Sequence, residues 1–369
     1  MKIERIRAYR VVLHTTEGRY AWGKGRFVDE LDSTIIRIDT DAGINGFGEI
    51  CCPMAPGYTP FFAAGARAGT AEVARPLIGE DPTQIANINA IMDATLTGHD
   101  YAKSGIDIAC WDILGKAAQL PITTLLGGRF TPDFPLYHPV SQDTPEKMAV
   151  RVAEYRDQDY KSFQLKVGGD VDTDIARIRA VAKDLRPGEK LIADANRGWL
   201  VHEALQVVEA TRDVRFYVEQ PCSTYEECKT VRRLCSKPFI LDESIESVRD
   251  IVRAYSDGMV DIVNLKIAKL GGITKTNEAR NLCARLGIPV FIDNAKGGDI
   301  ITATMAHLAH STPPHILFAT TDFSSYIKEK IATGVPVKAN GRLAASNGPG
   351  LGVTPIDTVL SDLVLDVLA

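Results

Sequence analysis

Lys166, Asp194, Glu219, Asp242, Lys266 and Asp293 follow one another at separations of 23 to 28 residues, and each closes a short apolar run. That is the spacing of strand ends in a barrel of βα units, which take about 30 residues each and carry their active sites at the C-terminal ends of the strands. A single Asp after a strand is ordinarily a helix N-cap and a single Lys a solvated side chain; the series is what points to chemistry. Asp194, Glu219 and Asp242 would end three adjacent strands about 4.8 Å apart. Their carboxylates would converge and raise one another's pKa. A divalent cation removes that repulsion, and oxygen donors without His or Cys favour Mg²⁺, then Mn²⁺. Lys166 and Lys266 end the second and sixth strands, which face each other in an eight-membered ring. A partly desolvated lysine near other cations has a lowered pKa and acts as a base. The alternative is that each lysine pairs with its neighbouring carboxylate, Asp194 or Asp242.

The elements that must position these residues are legible from Phe134 onward. Eight strand-like runs, Leu136–Val140, Phe163–Val167, Leu191–Ala195, Phe216–Glu219, Phe239–Leu241, Ile262–Ile267, Val290–Ile292 and Ile316–Thr320, alternate with amphipathic stretches. The latter include Asp172–Leu185, His202–Glu209, Thr224–Cys235, Val248–Tyr255, Lys275–Leu286 and Ile300–Ala309. The pattern predicts an α/β fold, a (β/α)8-type barrel. An open doubly wound sheet would need a Gly-rich first turn that is missing. The first third reads as an α+β domain: strands at Ile6–His14 and Ser33–Thr40, turn chemistry at Asp41–Gly46, then helices at Ala63–Ile78, Pro82–Leu96 and Ala102–Ala118. Gly43, Gly46 and Gly48 are not followed by a helix, so a nucleotide loop is set aside. A calcium loop from Asp39 would need Glu where Ile50 stands.

With 369 residues, 45% hydrophobic, 24% charged and a net charge of −5, the chain is an ordinary globular protein of two or three domains. It shows no basic stripe for nucleic acid and no apolar run long enough for a membrane span. The charged N-terminus does not read as a signal peptide. Seven cysteines without a C-x-x-C pair read as reduced thiols of a cytoplasmic protein, with zinc at Cys222 and Cys228 left open.

The tract Ala102-Lys103-Ser104-Gly105-Ile106-Asp107-Ile108-Ala109-Cys110-Trp111-Asp112-Ile113-Leu114-Gly115-Lys116 is followed by Pro121-Ile122 and Leu125-Leu126-Gly127-Gly128. With Asp194-Ala195-Asn196, Glu219-Gln220-Pro221, Asp242-Glu243-Ser244 and Asn264-Leu265-Lys266-Ile267-Ala268-Lys269-Leu270-Gly271-Gly272, it resembles the enolase superfamily in its muconate-lactonising, mandelate racemase-like branch. The resemblance covers nearly the whole chain. It implies an N-terminal capping domain over residues 1–128, a barrel over 129–325 and a segment, 326–369, returning to the cap. It also implies Mg²⁺ on Asp194, Glu219 and Asp242, Lys166 and Lys266 as the acid/base pair, and a homo-oligomer.

Where that family usually has Lys-x-Lys on the second strand, this chain has Gln164-Leu165-Lys166. Side chains two apart share a face, so Gln164 points inward and is available to a substrate carboxylate. The run Phe163–Asp170 resembles members acting on proline derivatives, cis-3-hydroxy-L-proline dehydratases and proline-betaine epimerases. Phe318–Tyr326 and Tyr20–Gly25 look closer to the dehydratases. In the strand-7 motif, Asp293-Asn294-Ala295-Lys296-Gly297-Gly298-Asp299, Lys296 stands where relatives tend to carry an acidic residue and a Trp. A Trp would hold a quaternary ammonium by cation–π attraction, whereas Lys296 would repel it.

The implied reaction is abstraction of the α-proton of a small amino-acid carboxylate, with Mg²⁺ stabilising the enediolate. Loss of a β-hydroxyl then gives an enamine and a cyclic imine. Reprotonation from the opposite lysine would instead make the enzyme a racemase or epimerase. Asn196 is a further substrate-binding candidate. Tyr20, Trp22 and Tyr58 either cover a small ring or simply pack their loops. Asp293 or Asp322 would hold a substrate ammonium, unless Asp322 caps a helix. Two other classes compete: a Schiff-base aldolase, opposed by the three carboxylates, and a ligand binder without catalysis, opposed by the intact lysine–carboxylate set.

Overall fold

The computed structural model describes residues 1–52 and 57–368. The chain begins with a long antiparallel pair, β1 (Ile3–His14) and β4 (Glu30–Thr40), separated by a small hairpin of β2 (Tyr20–Trp22) and β3 (Arg26–Val28). β5 (Asn45–Cys51) adds to β4. Three helices, α1 (Ala63–Ala74), α2 (Ile85–Thr95) and α3 (Asp100–Ala118), cover the sheet. Gly46 and Gly48, expected in or beside a turn, lie inside β5. The reason is contact: a Cβ on Gly48 would stand 1.9 Å from the carbonyl oxygen of Gly105 on α3. Only glycine lets the helix lie that close to the strand.

The barrel strands are β6 (His138–Val140), β7 (Ser162–Lys166), β8 (Lys190–Asp194), β9 (Tyr217–Glu219), β10 (Phe239–Leu241), β11 (Ile262–Lys266), β12 (Val290–Asp293) and β13 (Leu317–Thr320). Each pairs in parallel with the next. The backbone N–H of Tyr137 donates to the carbonyl of Thr320 at 2.8 Å and joins the last strand to the first. All eight strands coincide with the eight apolar runs to within two residues. Between them run α4 (Pro145–Arg156), α5 (Val171–Ala182), α6 (Val201–Ala210), α7 (Tyr225–Leu234), α8 (Val248–Ser256), α9 (Ile273–Leu286) and α10 (Asp299–His310). Starts are set locally: Asp170 accepts from the Thr173 N–H at 2.9 Å, and Thr224 and Glu227 form a reciprocal capping box on α7. The eighth strand differs from the repeat. It is followed by a single 3-10 turn, Phe323–Ser325, after which the chain crosses back and β14 (Leu363–Leu368) pairs antiparallel with β1.

Strand alternation stacks the barrel interior in layers. Ile192, Ile240, Ile262, Phe291 and Phe318 form a buried apolar plug. Two residues further along, Asp194, Asp242, Asn264, Asp293 and Thr320 replace them, joined by Lys166, Glu219 and Lys266 at the strand ends. The barrel is thus greasy below and ionic at its C-terminal mouth. Among the described residues no helix is long and apolar enough to cross a membrane.

Candidate active site

The turns leaving this mouth are tightly constrained. Asn196, Arg197 and Gln220 adopt left-handed backbone, with φ of 45°, 65° and 32°. Such non-glycine positions concentrate at functional sites. Here Gln220 follows Glu219 directly, and Asn196 and Arg197 follow Asp194 after one intervening alanine. Gln220 then accepts from the backbone N–H groups of Asp242 at 3.1 Å and Ser244 at 3.2 Å, tying the fourth strand end to the fifth.

A cleft of about 630 Å³, including its open mouth, lies between the barrel and the cap. It is lined by Gln164, Lys166, Asp194, Asn196, Asp242, Lys266, Asp293 and Lys296 from the barrel and by Tyr20, Trp22 and Tyr58 from the cap. The structure therefore brings together nearly every candidate. Glu219 sits beneath them, fully buried, its carboxylate accepting from Gln164 Nε2 at 2.7 Å and Asn264 Nδ2 at 2.9 Å.

The lysines are held by carboxylates. Lys166 Nζ lies 2.5 Å from Asp194 Oδ2, Lys266 is paired with Asp242, and Lys269 Nζ lies 3.1 Å from the other oxygen of Asp242. This is the neighbour-pairing alternative, and it reverses the expected sign of the lysine pKa. Burial alone would lower Lys166 and Lys266, but Asp194 on one and Asp242 on the other hold both above the ordinary lysine value. Burial would likewise raise Asp242, yet Lys266 and Lys269 keep it below its usual value. Glu219 is driven well above the carboxylate range by burial and then by Asp194 and Asp242.

That last effect is the observation bearing on a metal. Three carboxylates on adjacent strands burden one another electrostatically, and the described residues lining the cleft include no imidazole and no thiolate. The donor chemistry fits a hard divalent cation. As placed, no three Asp, Glu, His or Cys side chains among the described residues stand within one ion's reach, because lysine and amide partners hold the carboxylates separately. All seven cysteines are buried and unpaired, and the Cys228 thiol donates to the Cys222 carbonyl.

The cap supplies an aromatic wall. Tyr20 and Trp22 have ring centroids 6.2 Å apart, and Trp22 and Tyr58 5.8 Å. Tyr58 donates its hydroxyl hydrogen to Glu243 and accepts from Asn196 Nδ2 at 2.9 Å, so the loop is bonded to the barrel rim. Lys296 Nζ lies 3.6 Å from the centroid of Tyr20. Asp293 accepts from the Tyr137 hydroxyl at 3.1 Å and from Asn264 Nδ2 at 3.4 Å; burial raises its pKa.

Asp322 is the exception. It is buried but does not line the cleft; its carboxylate turns to the Ser325 hydroxyl within its own turn. Asp322 stands at the N-cap position of the 3-10 turn but its side chain makes no capping bond to the turn's backbone; the bond to the Ser325 hydroxyl draws it away from the mouth. Gln164 also departs from expectation by donating to Glu219. Glu243, Asn264, Asn294 and Tyr137 were not singled out beforehand. Asn264 was readable, being two residues before Lys266 and hence on the same face. Tyr137 precedes its strand and offered no signal.

Comparison with known proteins agrees with this architecture. The profile "Mandelate racemase / muconate lactonizing enzyme, N-terminal domain" matches residues 26–127, and "Enolase C-terminal domain-like" matches residues 147–359. The chain belongs to the enolase superfamily, in its mandelate racemase/muconate lactonizing branch. It is 49% identical to cis-3-hydroxy-L-proline dehydratase of Roseibium aggregatum over 99% of both chains. It is 31% identical to hydrophobic dipeptide epimerase of Enterococcus faecalis over 89% of this chain and 93% of that one. A solved superfamily member from Roseovarius nubinhibens ISM, complexed with magnesium, superposes with a TM-score of 0.93 at 35% identity, covering 100% of both chains. The chain is accordingly an enzyme of the superfamily, and its barrel-and-cap fold is the one its sequence pattern foretold.

Proposed function

We propose that this enzyme is a Mg²⁺-dependent dehydratase of cis-3-hydroxy-L-proline, forming a cyclic imine. One observation carries the reading: a single cleft holds Lys166 and Lys266, from the second and sixth strands of the ring, beside the strand-end carboxylates Asp194 and Asp242, with Glu219 buried beneath them. The 49% identity to the Roseibium dehydratase supports the choice of substrate. Asp194, Glu219 and Asp242 would hold Mg²⁺, and the cation would supply Lewis-acid stabilisation of the negative charge developing on the substrate carboxylate. The chain's own groups do the rest. Either lysine, once its carboxylate partner is otherwise engaged, loses the ion pair that raises its pKa and becomes a competent base. In cis-3-hydroxy-L-proline the α-hydrogen and the hydroxyl lie on opposite faces of the ring, matching groups on opposite sides of the cleft. The aromatic wall of Tyr20, Trp22 and Tyr58 covers a small ring and excludes water, which strengthens the charges inside. Asp293 is placed to accept from the ring ammonium.

The test is incubation with Mg²⁺ in D₂O, followed by NMR, with cis- and trans-3-hydroxyproline, 4-hydroxyproline, proline betaines and dipeptides. Consumption of cis-3-hydroxy-L-proline with appearance of the cyclic imine, abolished by EDTA, is expected. α-Deuteration without elimination would make the enzyme an epimerase, and full activity after removal of metal would sink the mechanism.

A further inference from the structure

Elimination of a β-hydroxyl needs a proton for the departing oxygen as well as a base for the α-proton, and the lysines of the cleft are not equivalent candidates. Lys166 and Lys266 each stand on a strand-end carboxylate, at the place the dehydratase reading gives to removal of the α-proton. Lys296 is different. Among the described residues no carboxylate pairs with it, and its ammonium rests on the π-face of Tyr20. Lys296 is a cleft residue together with Lys166, Lys266 and Asp293, and it also faces a smaller adjoining cavity of about 450 Å³ lined by Thr15, Glu17 and His138. Its position is fixed from the cap. Glu49 on β5 accepts from the backbone N–H of Gly298 at 2.7 Å and of Ile301 at 3.0 Å, clamping the turn that carries Lys296 to the start of α10.

We infer that Lys296 is the general acid of the elimination, delivering the proton that converts the substrate's β-hydroxyl into water. The inference rests on the dehydratase reading. The α-proton passes to the site's base and its bonding pair becomes the Cα–Cβ double bond. The Cβ–O bond breaks with its electrons on oxygen. That oxygen takes a proton from the Lys296 ammonium and leaves as water, and Lys296 is left neutral, to be reprotonated from solvent. The enamine then exchanges its N–H proton for one at Cβ and becomes the imine. The surroundings favour donation. Burial, then Lys166, bring Lys296 down to about 7, against the opposing pull of Cys51 and Asp293, with Lys266 adding to the depression. A donor with pKa near the working pH is the effective kind.

The experiment compares wild type with Lys296→Met and Lys296→Arg, each loaded with Mg²⁺. Elimination from cis-3-hydroxy-L-proline is followed beside α-deuterium exchange and beside elimination of fluoride from cis-3-fluoro-L-proline, whose leaving group needs little protonation. Loss of the acid is expected to slow hydroxyl elimination by about 10²- to 10⁴-fold. Exchange and fluoride loss should fall far less, and their persistence reports a folded, loaded site. Lys296→Arg, which keeps the charge but holds its proton too tightly to donate, should resemble the Met variant. Undiminished water loss in either variant, or an equal fall of all three rates, overturns the assignment. A wild type that exchanges but eliminates from neither compound defeats the dehydratase reading itself, and the Lys296 role with it.

Discussion

The barrel mouth and the cap-facing wall opposite it hold the same kind of cation in opposite ways. At the strand ends, Lys166, Lys266 and Lys269 are compensated by Asp194 and Asp242, and the first two sit above their ordinary pKa. On the wall, Lys296 leans on Tyr20 with no carboxylate partner among the described residues and is lowered to about 7 by burial and by Lys166. Burial acts on all of these lysines; the partner decides the sign of the shift. The mouth holds its lysine protons in ion pairs. The wall holds a proton that is ready to leave.

The largest expected effect tests the mouth. Of Lys166→Ala and Lys266→Ala, the variant that lacks the base for the α-proton should lose roughly 10³-fold or more in turnover, the range of a lost general base. Measured with saturating substrate in D₂O, that variant should also stop exchanging the α-hydrogen. If both retained near-wild-type turnover, the lysines would be no more than counter-ions for Asp194 and Asp242, and the contrast between mouth and wall would vanish.

A middle-sized effect tests the joint between cap and wall. Glu49 is fully buried and accepts from Ser33 Oγ at 2.8 Å as well as from the first N–H groups of α10. Glu49→Ala leaves those donors unpaired and should cost about 1–3 kcal/mol in denaturant unfolding. The pH dependence is sharper. Burial raises the Glu49 carboxyl from an ordinary 4.5 to about 7. A group whose folded pKa is raised contributes stability that is fully present below 4.5 and is lost as pH rises through 7. Wild type should therefore lose stability across that window, and Glu49→Gln should flatten the loss. An unchanged slope in the Gln variant would move the titration elsewhere and leave the joint insensitive to pH.

How much of this was legible follows the same division. The mouth is built by strand periodicity, and a polar residue closing each apolar run locates Lys166, Asp194, Glu219, Asp242 and Lys266 without any tertiary information. The wall comes from contacts between segments distant in sequence, such as Glu49 with Gly298 and Tyr20 with Lys296. No local pattern encodes those. Lys296 stood out as a departure, but its unpaired state is a property of the folded cleft. Asp322 shows the converse error: a carboxylate at a strand end looks like its neighbours in sequence, yet the 3-10 turn after the last strand aims it at Ser325. The ion pairing of the lysines was weighed as an alternative, and only the assembled distances chose it.

The smallest expected effect probes a place where cap and mouth touch directly. Tyr58 bonds Glu243 and Asn196 across the cleft, and Asn196 is bonded in turn through its backbone to Asp194 at 2.9 Å. Tyr58→Phe keeps the ring, and with it the contact to Trp22, but removes the hydroxyl. A hydrogen bond of this kind contributes about 0.5–1.5 kcal/mol, so KM should rise by tenfold at most, with kcat nearly unchanged, because the hydroxyl fastens a covering loop rather than a reacting atom. Steady-state kinetics on the substrate that the NMR panel identifies would separate the cases. A fall in kcat at constant KM would place Tyr58 on the transition state and extend the chemistry of the mouth into the cap, which would erase the distinction between the two.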